Sequence, residues 1–294
     1  MLTIFTPTYN RAKTIPQLFD SLMRQTCHDF EWLIVDDGSS DDTASLVERL
    51  QQSDPPFDIT YIKKENGGKH TAINLGATKA RGDWFFIVDS DDWLKPDAVE
   101  WFYRQSKAIA DNQRFAALVG SRINSKGDRL GFEKPYTQID CSPTEFCFKH
   151  GGGGDHAEIV KTDIIRQFPF PVYPDERFCA EGLVWQRIGK NYIFRYCDYP
   201  IYVTEYLPDG LTCNVKALKL RNPRYSQLIE LERAKNRDIP LKYRIKAAIS
   251  FWRYAFALRR KQPNAISESR RMFPLSFPLA IPGYMLYRRN KAEI

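Results

Sequence analysis

The sequence is poor in histidine. Its four, His28, His70, His150 and His156, make no HExxH or HxxxH pattern, which removes the ordinary helical zinc site. The six cysteines, at 27, 141, 147, 179, 197 and 213, include no CxxC pair and no framework spacing. They read as reduced, mostly buried thiols of a cytoplasmic protein. No stretch reaches the roughly 18 to 20 uninterrupted apolar residues of a membrane span. No basic n-region, apolar h-region and cleavage site precede the first apolar run, so a secretory signal is not expected. Neither GxxxxGK[ST] nor GxGxxG occurs, which argues against a P-loop and against a Rossmann dinucleotide site. An RNP-like aromatic strand is missing as well, so nucleic acid is not an expected partner.

What is present suffices for a large core: 294 residues, 43% hydrophobic and 14% aromatic. The first 120 residues alternate between two periods. "LTIFT", "EWLIV", "DITYI" and "WFFIV" are short apolar runs rich in β-branched and aromatic side chains, as buried parallel strands are. Helical stretches near 15–25, 41–52, 70–80 and 96–111 separate them. Among their start signals, "SSDDT" and "KPDAVE" carry cap residues, early acids and a Pro near the first turn. This alternation predicts an α/β fold with a mainly parallel central sheet flanked by crossover helices. Beyond residue 120 the pattern predicts a hairpin around Lys126-Gly127, short helices in "TDIIRQF" and "EGLVWQRIGKNY", and strands in "YIFRYCDYPIYVTEYL". The glycine run at 151–154 suits backbone approach to a ligand, or a lid.

The net charge of +7 hides an asymmetry. Residues 214–294 hold 19 Lys/Arg against 5 Asp/Glu, whereas residues 1–213 hold 24 against 31. Two physically different pieces therefore meet near residue 213: a body at 1–213 and a basic helical C-terminal extension at 214–294. The extension suggests an anionic surface as partner. Its last part, Met272 to Tyr287, is apolar but broken by Pro274, Pro278 and Pro282. Too short and kinked to span, it could lie in a membrane interface with Arg288, Arg289 and Lys291 on anionic headgroups. Packing against the rest of the protein is the other reading.

In an open parallel sheet, ligands bind beyond the carboxyl ends of the strands. Here the four ends run into "TPTYNR", "DDGSSDD", "KKENGGKH" and "DSDDW". Ser39 to Asp42 read equally well as a helix cap and as site residues; Asp36 and Asp37 precede the turn and lean toward the site. Gly67-Gly68 permits close backbone approach, and Lys69 at a helix start suits a phosphate. Asp89, Asp91 and Asp92 repel one another, so a nearby Lys or Arg, a helix N-terminus or a metal ion must offset them. Two hard carboxylates, Asp89 and Asp91, suit Mg²⁺ or Mn²⁺, with water and substrate phosphates filling the remaining positions. The spacing is not that of an EF-hand, since Trp93 stands fifth and no Gly follows.

In this order and spacing, "TPTYNR", "VDDGSSDDT", "ENGGKHTAINLG" and "FIVDSDDWL" resemble the family 2 glycosyltransferases, inverting enzymes of the GT-A fold. The motifs cover about residues 2–100, and a looser likeness runs through "GDHAEIVKTD", "AEGLVWQRIGKNY" and "YPIYVTEYLPDGLT" to about 213. The resemblance implies a nucleotide-sugar-binding and catalytic domain at 1–213 that moves a sugar from a nucleotide-sugar, UDP-linked in the first instance, to a hydroxyl acceptor. It implies donor binding by Thr8, Tyr9, Asp37, Lys69, Asp89 and Asp91, with Asp91 and Asp89 holding Mn²⁺ or Mg²⁺. The catalytic base it implies is Glu181, although Gly182 stands where many members carry Asp; the alternative is that Glu181 only favours a helix dipole. Arg11, Asp36, Asn66, Asn74, Asp92, Asp155 and Glu158 are secondary candidates. Docking of the extension on a membrane would suit a lipid-linked glycan as acceptor, which places the expected activity in cell-envelope polysaccharide or lipopolysaccharide synthesis by a cytoplasmic protein, peripheral on the membrane's inner face. Two other classes stay in view. A nucleotidyltransferase should show a Gly-rich, Arg/Lys-bearing loop after strand one, where "TPTYNR" stands. A non-catalytic sugar-nucleotide or membrane-binding module should have lost part of the acidic set.

Overall fold

The computed structural model describes residues 1–131, 135–205 and 215–292. Cys213 and the 213/214 boundary lie outside the described residues. The chain divides into two compact units, one of residues 1–171 and 184–205, the other of 172–183 and 206–294.

The first unit is built on the alternation that the sequence carries. Strands β1 (Leu2–Thr8), β2 (Phe30–Asp36), β3 (Asp58–Lys63) and β4 (Trp84–Ile87) pair in parallel in the order β3-β2-β1-β4. Helices α1 (Ile15–Met23), α2 (Thr43–Gln51) and α3 (Lys69–Lys79) make the crossovers, and α4 (Ala98–Ser106) follows. β1, β2 and β4 are buried along their whole length, so they read as unbroken apolar runs rather than alternating ones. Gly76 of α3 lies against the ring of buried Phe5, where a Cβ would come within 2.1 Å of a ring carbon. That contact fixes how closely α3 sits on β1.

Past β4 the sheet becomes mixed. β9 (Ala157–Lys161) pairs antiparallel with both β4 and β6 (Phe115–Asn124), and β10 (Ile193–Thr204) runs parallel to β6. The two-residue β5 (Trp93–Leu94) closes the far edge on β10. The hairpin at Lys126-Gly127 joins β6 to β7 (Arg129–Leu130), and β8 (Gln138–Cys141) pairs with β10. "IFRYCDYPIYVT" is one strand with register shifts after Ile193, Tyr196 and Pro200, not several. A short α5 (Pro143–Glu145), capped by the Ser142 hydroxyl, runs into a π-helical turn at Phe146–His150. α6 (Thr162–Gln167) and α7 (Gly182–Ile188) occupy the two predicted helical segments. Of the five described cysteines, Cys141, Cys179 and Cys197 are buried and Cys147 is exposed, and none is bridged.

The second unit is helical, with α8 (Val215–Arg221), α9 (Pro223–Lys235), α10 (Leu241–Leu258), α11 (Ala265–Met272), a 3-10 segment Pro274–Leu279 and α12 (Ala280–Ala292). Phe251, Trp252 and Ala255 of α10 form its core with Leu231 and Ala280. The Trp252 indole N–H donates to the Ser276 carbonyl at 2.8 Å, which anchors the Pro-rich segment. The 172–183 stretch is tied to the start of α9: buried Glu176 accepts the backbone N–H groups of Arg224 and Tyr225 at 2.8 and 3.1 Å. A carboxylate at a helix N-terminus satisfies free donors and favours the dipole. No helix among the described residues is long and apolar enough to cross a membrane.

Candidate active site

The register sets Thr8 beside Asp36 and Asp36 beside Lys63, so β1, β2 and β3 end level. The loops leaving them are stapled to one another. Asn10, at φ 53°, donates its N–H to the Ser39 hydroxyl and accepts from the Ser40 N–H through its side-chain oxygen, both at 2.8 Å. The Ala12 N–H reaches the Asp41 carboxylate at 3.1 Å. The cap reading of Ser39 and Ser40 is therefore corrected: they brace the first loop, because Asn10 has no regular strand partner and its polar groups need one. Asp41 instead accepts from the N–H and hydroxyl of Thr43, at 3.1 and 2.6 Å, where α2 begins.

Asp36 and Asp37 are both buried, and each clamps a loop. Asp36 accepts the Ser39 N–H at 2.7 Å and the Tyr61 hydroxyl at 2.5 Å. Asp37 accepts the Gly67 and Gly68 N–H groups at 2.9 and 2.7 Å, and Lys64 Nζ at 2.6 Å. The Asn66 amide donates back to the Asp37 carbonyl at 2.9 Å. Gly68, at φ 94°, opens α3 in a conformation that a Cβ disfavours, and Lys69 takes the first helical position. Asp37 thus shapes the glycine loop. The hydroxyl of Thr8 beside it is buried with no hydrogen-bond partner among the described residues. Such a group is a ready contact for a ligand's polar atom.

The acids after β4 answer their own repulsion with cations from three separate elements. Lys69 Nζ lies 2.5 Å from Asp89, Arg11 Nη2 lies 3.6 Å from Asp91, and Arg122 Nη1 of β6 lies 3.8 Å from Asp92. Burial works against charge on Asp89, but Lys69 and Arg122 outweigh it and hold its pKa below the usual carboxylate value. Burial and the Asp89 charge push Asp91 up, and they push Asp92 up to about 7. The Tyr202 hydroxyl accepts the Asp89 N–H at 2.9 Å, and the Arg122 guanidinium lies 4.0 Å over the Tyr202 ring. Asp89 and Asp91 fit a divalent ion by donor chemistry: two hard carboxylates, each partly exposed.

The other expected residues fall in different places. Tyr9 is exposed at the rim, and Arg11 is half-buried on Asp91. The Asn74 amide is committed to the N–H and carbonyl of Phe170, at 2.8 and 2.9 Å, and serves to hold that backbone. Asp155 is exposed after the glycine run, and Glu158 stands on β9 within electrostatic reach of Arg122. Glu181 is half-buried on the turn before α7 and belongs to the second unit. A Cβ at the neighbouring Gly182 would meet nothing within 4 Å. Lys64, Arg122 and Tyr202 escaped the sequence reading. For Arg122 one signal existed, a lone charge at the end of "FAALVGSR" in an otherwise apolar strand.

A family model described as glycosyl transferase family 2 matches residues 3–159, a stretch that holds the strand ends and all three aspartates. The chain belongs to that family. The chondroitin synthase of Pasteurella multocida (strain Pm70) is 39% identical over 100 residues, which are 34% of this chain and 10% of that protein. The chain spans between 10% and 35% of the length of curated relatives such as this one. Among solved structures, S. aureus TarS 1-349 in complex with UDP superposes with a TM-score of 0.63 at 18% identity, covering 98% of this chain and 89% of that one. Mannosyltransferase PcManGT from Pyrobaculum calidifontis, in complex with GDP-Man and Mn²⁺, gives 0.55 at 19% identity over 98% and 83%. These likenesses establish the fold as GT-A with helices appended.

Proposed function

We propose that this family 2 protein transfers a sugar, with inversion, from a nucleoside-diphosphate sugar to a hydroxyl acceptor. The observation that carries the reading is the charge-paired acidic triad Asp89, Asp91 and Asp92 at the strand edge, together with the Thr8 hydroxyl, which has no hydrogen-bond partner among the described residues. The ligands of the two solved neighbours, UDP in one and GDP-Man with Mn²⁺ in the other, support a nucleotide-sugar and a divalent ion. UDP is our choice of nucleotide. Thr8 and the loop clamped by Asp37 would face the nucleoside, while Lys69 and Arg11 would face the diphosphate. Asp89 and Asp91 would hold Mn²⁺ or Mg²⁺, which when bound stabilises the negative charge of the departing diphosphate. An acceptor hydroxyl is a poor nucleophile at neutral pH, and Glu181 is the carboxylate proposed to take its proton. Asp155 and Glu158 are the reserves for that role. The acceptor context we propose is a cell-envelope glycan, built on the cytoplasmic side of the membrane.

The test separates binding from transfer. Calorimetric titration with UDP should give affinity that rises with Mn²⁺, and Asp91→Ala should lose the metal-dependent part while keeping the fold. Glu181→Gln should bind UDP as the wild type does and lose about two to four powers of ten in transfer. UDP affinity indifferent to Mn²⁺ and EDTA would remove the metal from the reading. Transfer by Glu181→Gln within about threefold of wild type would move the base elsewhere.

A further inference from the structure

The helical unit carries a surface that its own packing leaves open. Leu275 is 91% exposed, Ile281 69%, Leu241 66% and Met285 66%. The Met272 to Tyr287 run is thus divided: Phe273, Leu279 and Ala280 pack inward, while Leu275, Ile281 and Met285 stay in solvent. Leu241, Ile245 and Leu275 also line a mainly apolar groove between the start of α10 and the 3-10 segment, together with Phe273 and Leu279.

The charges on these segments are mostly of one sign, with Asp238 just before them. Residues 241–291 hold 12 Lys/Arg against the single acid Glu268. Lys242, Arg244 and Lys246 alternate with Leu241, Tyr243 and Ile245 on the first turns of α10, and all but Arg244 of these six are exposed. Lys242 and Lys246 both lie over the Tyr243 ring, and Arg270 lies 4.5 Å over Phe277. Apolar bodies with cationic heads at their edges suit a boundary between an apolar phase and an anionic one. A second copy of the chain would bring like charge to like charge. A nucleic acid would match the cations and leave Leu275, Ile281 and Met285 in water.

We propose that this face, formed by the start of α10, the 3-10 segment and α12, docks on an anionic lipid surface. It lies in the interface plane. Leu275, Ile281 and Met285 enter the headgroup–acyl boundary, and the flanking Lys and Arg side chains sit on lipid phosphates. α12, with 13 residues, extends about 20 Å, short of the roughly 30 Å hydrocarbon core, so insertion stays shallow. This goes beyond the transfer reading and is tested without donor or acceptor, so either can fail alone.

The experiment is co-sedimentation of the full chain with vesicles of phosphatidylcholine, with and without about one-third phosphatidylglycerol, at low and high salt. The wild type is expected to bind the anionic vesicles at least about tenfold more tightly than the neutral ones, and to release with salt. Lys242→Glu with Lys246→Glu should weaken binding by tenfold or more. Leu275→Ser with Ile281→Ser should weaken it by a similar factor at unchanged melting temperature, since both side chains are exposed. Equal binding to neutral vesicles, no binding at low salt, or variants that bind as the wild type does would each overturn the proposal. So would a wild-type dimer in sedimentation velocity that Leu275→Ser with Ile281→Ser dissolves, because a second copy would then be the occupant.

Discussion

Replacing Arg122 with Met removes the one buried cation of the acidic triad. In the structure its side chain is 10% exposed, 3.8 Å from Asp92, and donates to the His156 carbonyl at 2.7 Å. At an effective dielectric of about 20, opposite charges at that separation attract by roughly 4 kcal/mol, worth about three decades of proton affinity. Asp92, already raised to about 7 by burial and Asp89, would then keep its proton well into the alkaline range. Its folded pKa lies above the ordinary carboxylate value, so its contribution to stability is full at low pH and is lost as pH rises through the folded value. In the wild type that loss is complete a little above pH 7. In the variant it continues, at about 1.4 kcal/mol per pH unit. The stability gap between the two proteins should therefore widen by roughly 2 to 3 kcal/mol between pH 7 and pH 9. Urea denaturation at pH 6, 7, 8 and 9 reads it directly, and an Asp92→Asn background should flatten it. A gap that stays constant to within about 0.5 kcal/mol across that range would refute the pairing of Arg122 with Asp92.

Two further outcomes follow from packing and burial. Both ring nitrogens of His156 are buried without hydrogen-bond partners among the described residues, and burial, then Arg122, holds its pKa down to about 4. The unfolded chain takes that proton below about 6.5 and the folded one does not, so stability should fall as pH drops from 6.5 toward 4, and His156→Leu should lessen the fall by roughly 2 kcal/mol in the same urea series. Gly76→Ala would set a Cβ 2.1 Å from the Phe5 ring; despite the better helix propensity, it should lower stability by about 1 to 3 kcal/mol, and an unchanged or higher melting temperature would contradict the close approach of α3 to β1.

The first hundred residues were legible because three of their four strands, β1, β2 and β4, are buried along their whole length and so show as short apolar runs. Observed helices at Ile15–Met23, Thr43–Gln51, Lys69–Lys79 and Ala98–Ser106 sit inside or within a residue of the predicted stretches. Turn chemistry was harder. Ser39 and Ser40 precede a helix, as caps do, yet their partners lie 29 and 30 residues away, in the backbone N–H and the side-chain oxygen of Asn10. Side-chain hydrogen bonds between loops leave no periodicity to read. For the same reason Asn74 passed as a site candidate, although its amide serves Phe170, 96 residues on. Arg122 and Tyr202 come from β6 and β10, strands that reach the acids only through the mixed half of the sheet, whose pairing no local pattern announces.

The three cations that neutralise the triad are not equivalent. Arg122 is rooted in a central strand, 10% exposed and held by the His156 carbonyl, so its pairing with Asp92 belongs to the framework. Lys69 and Arg11 are 27% and 25% exposed, sit on a helix start and a loop, and reach Asp89 and Asp91 through long side chains. A buried acid that lost its cation would be left uncompensated, at a cost of several kcal/mol. A site that takes up a diphosphate together with a divalent ion avoids that cost. On the proposed function, Lys69 and Arg11 would turn from carboxylate to phosphate oxygens, and Asp89 and Asp91 would hold the ion. Each charge keeps an opposite neighbour before and after, and Asp92 with Arg122 stays fixed behind them. Three aspartates within four positions are thus tolerable without being inert: the inner one holds the strand end in place, and the outer two rest on partners that a ligand can replace.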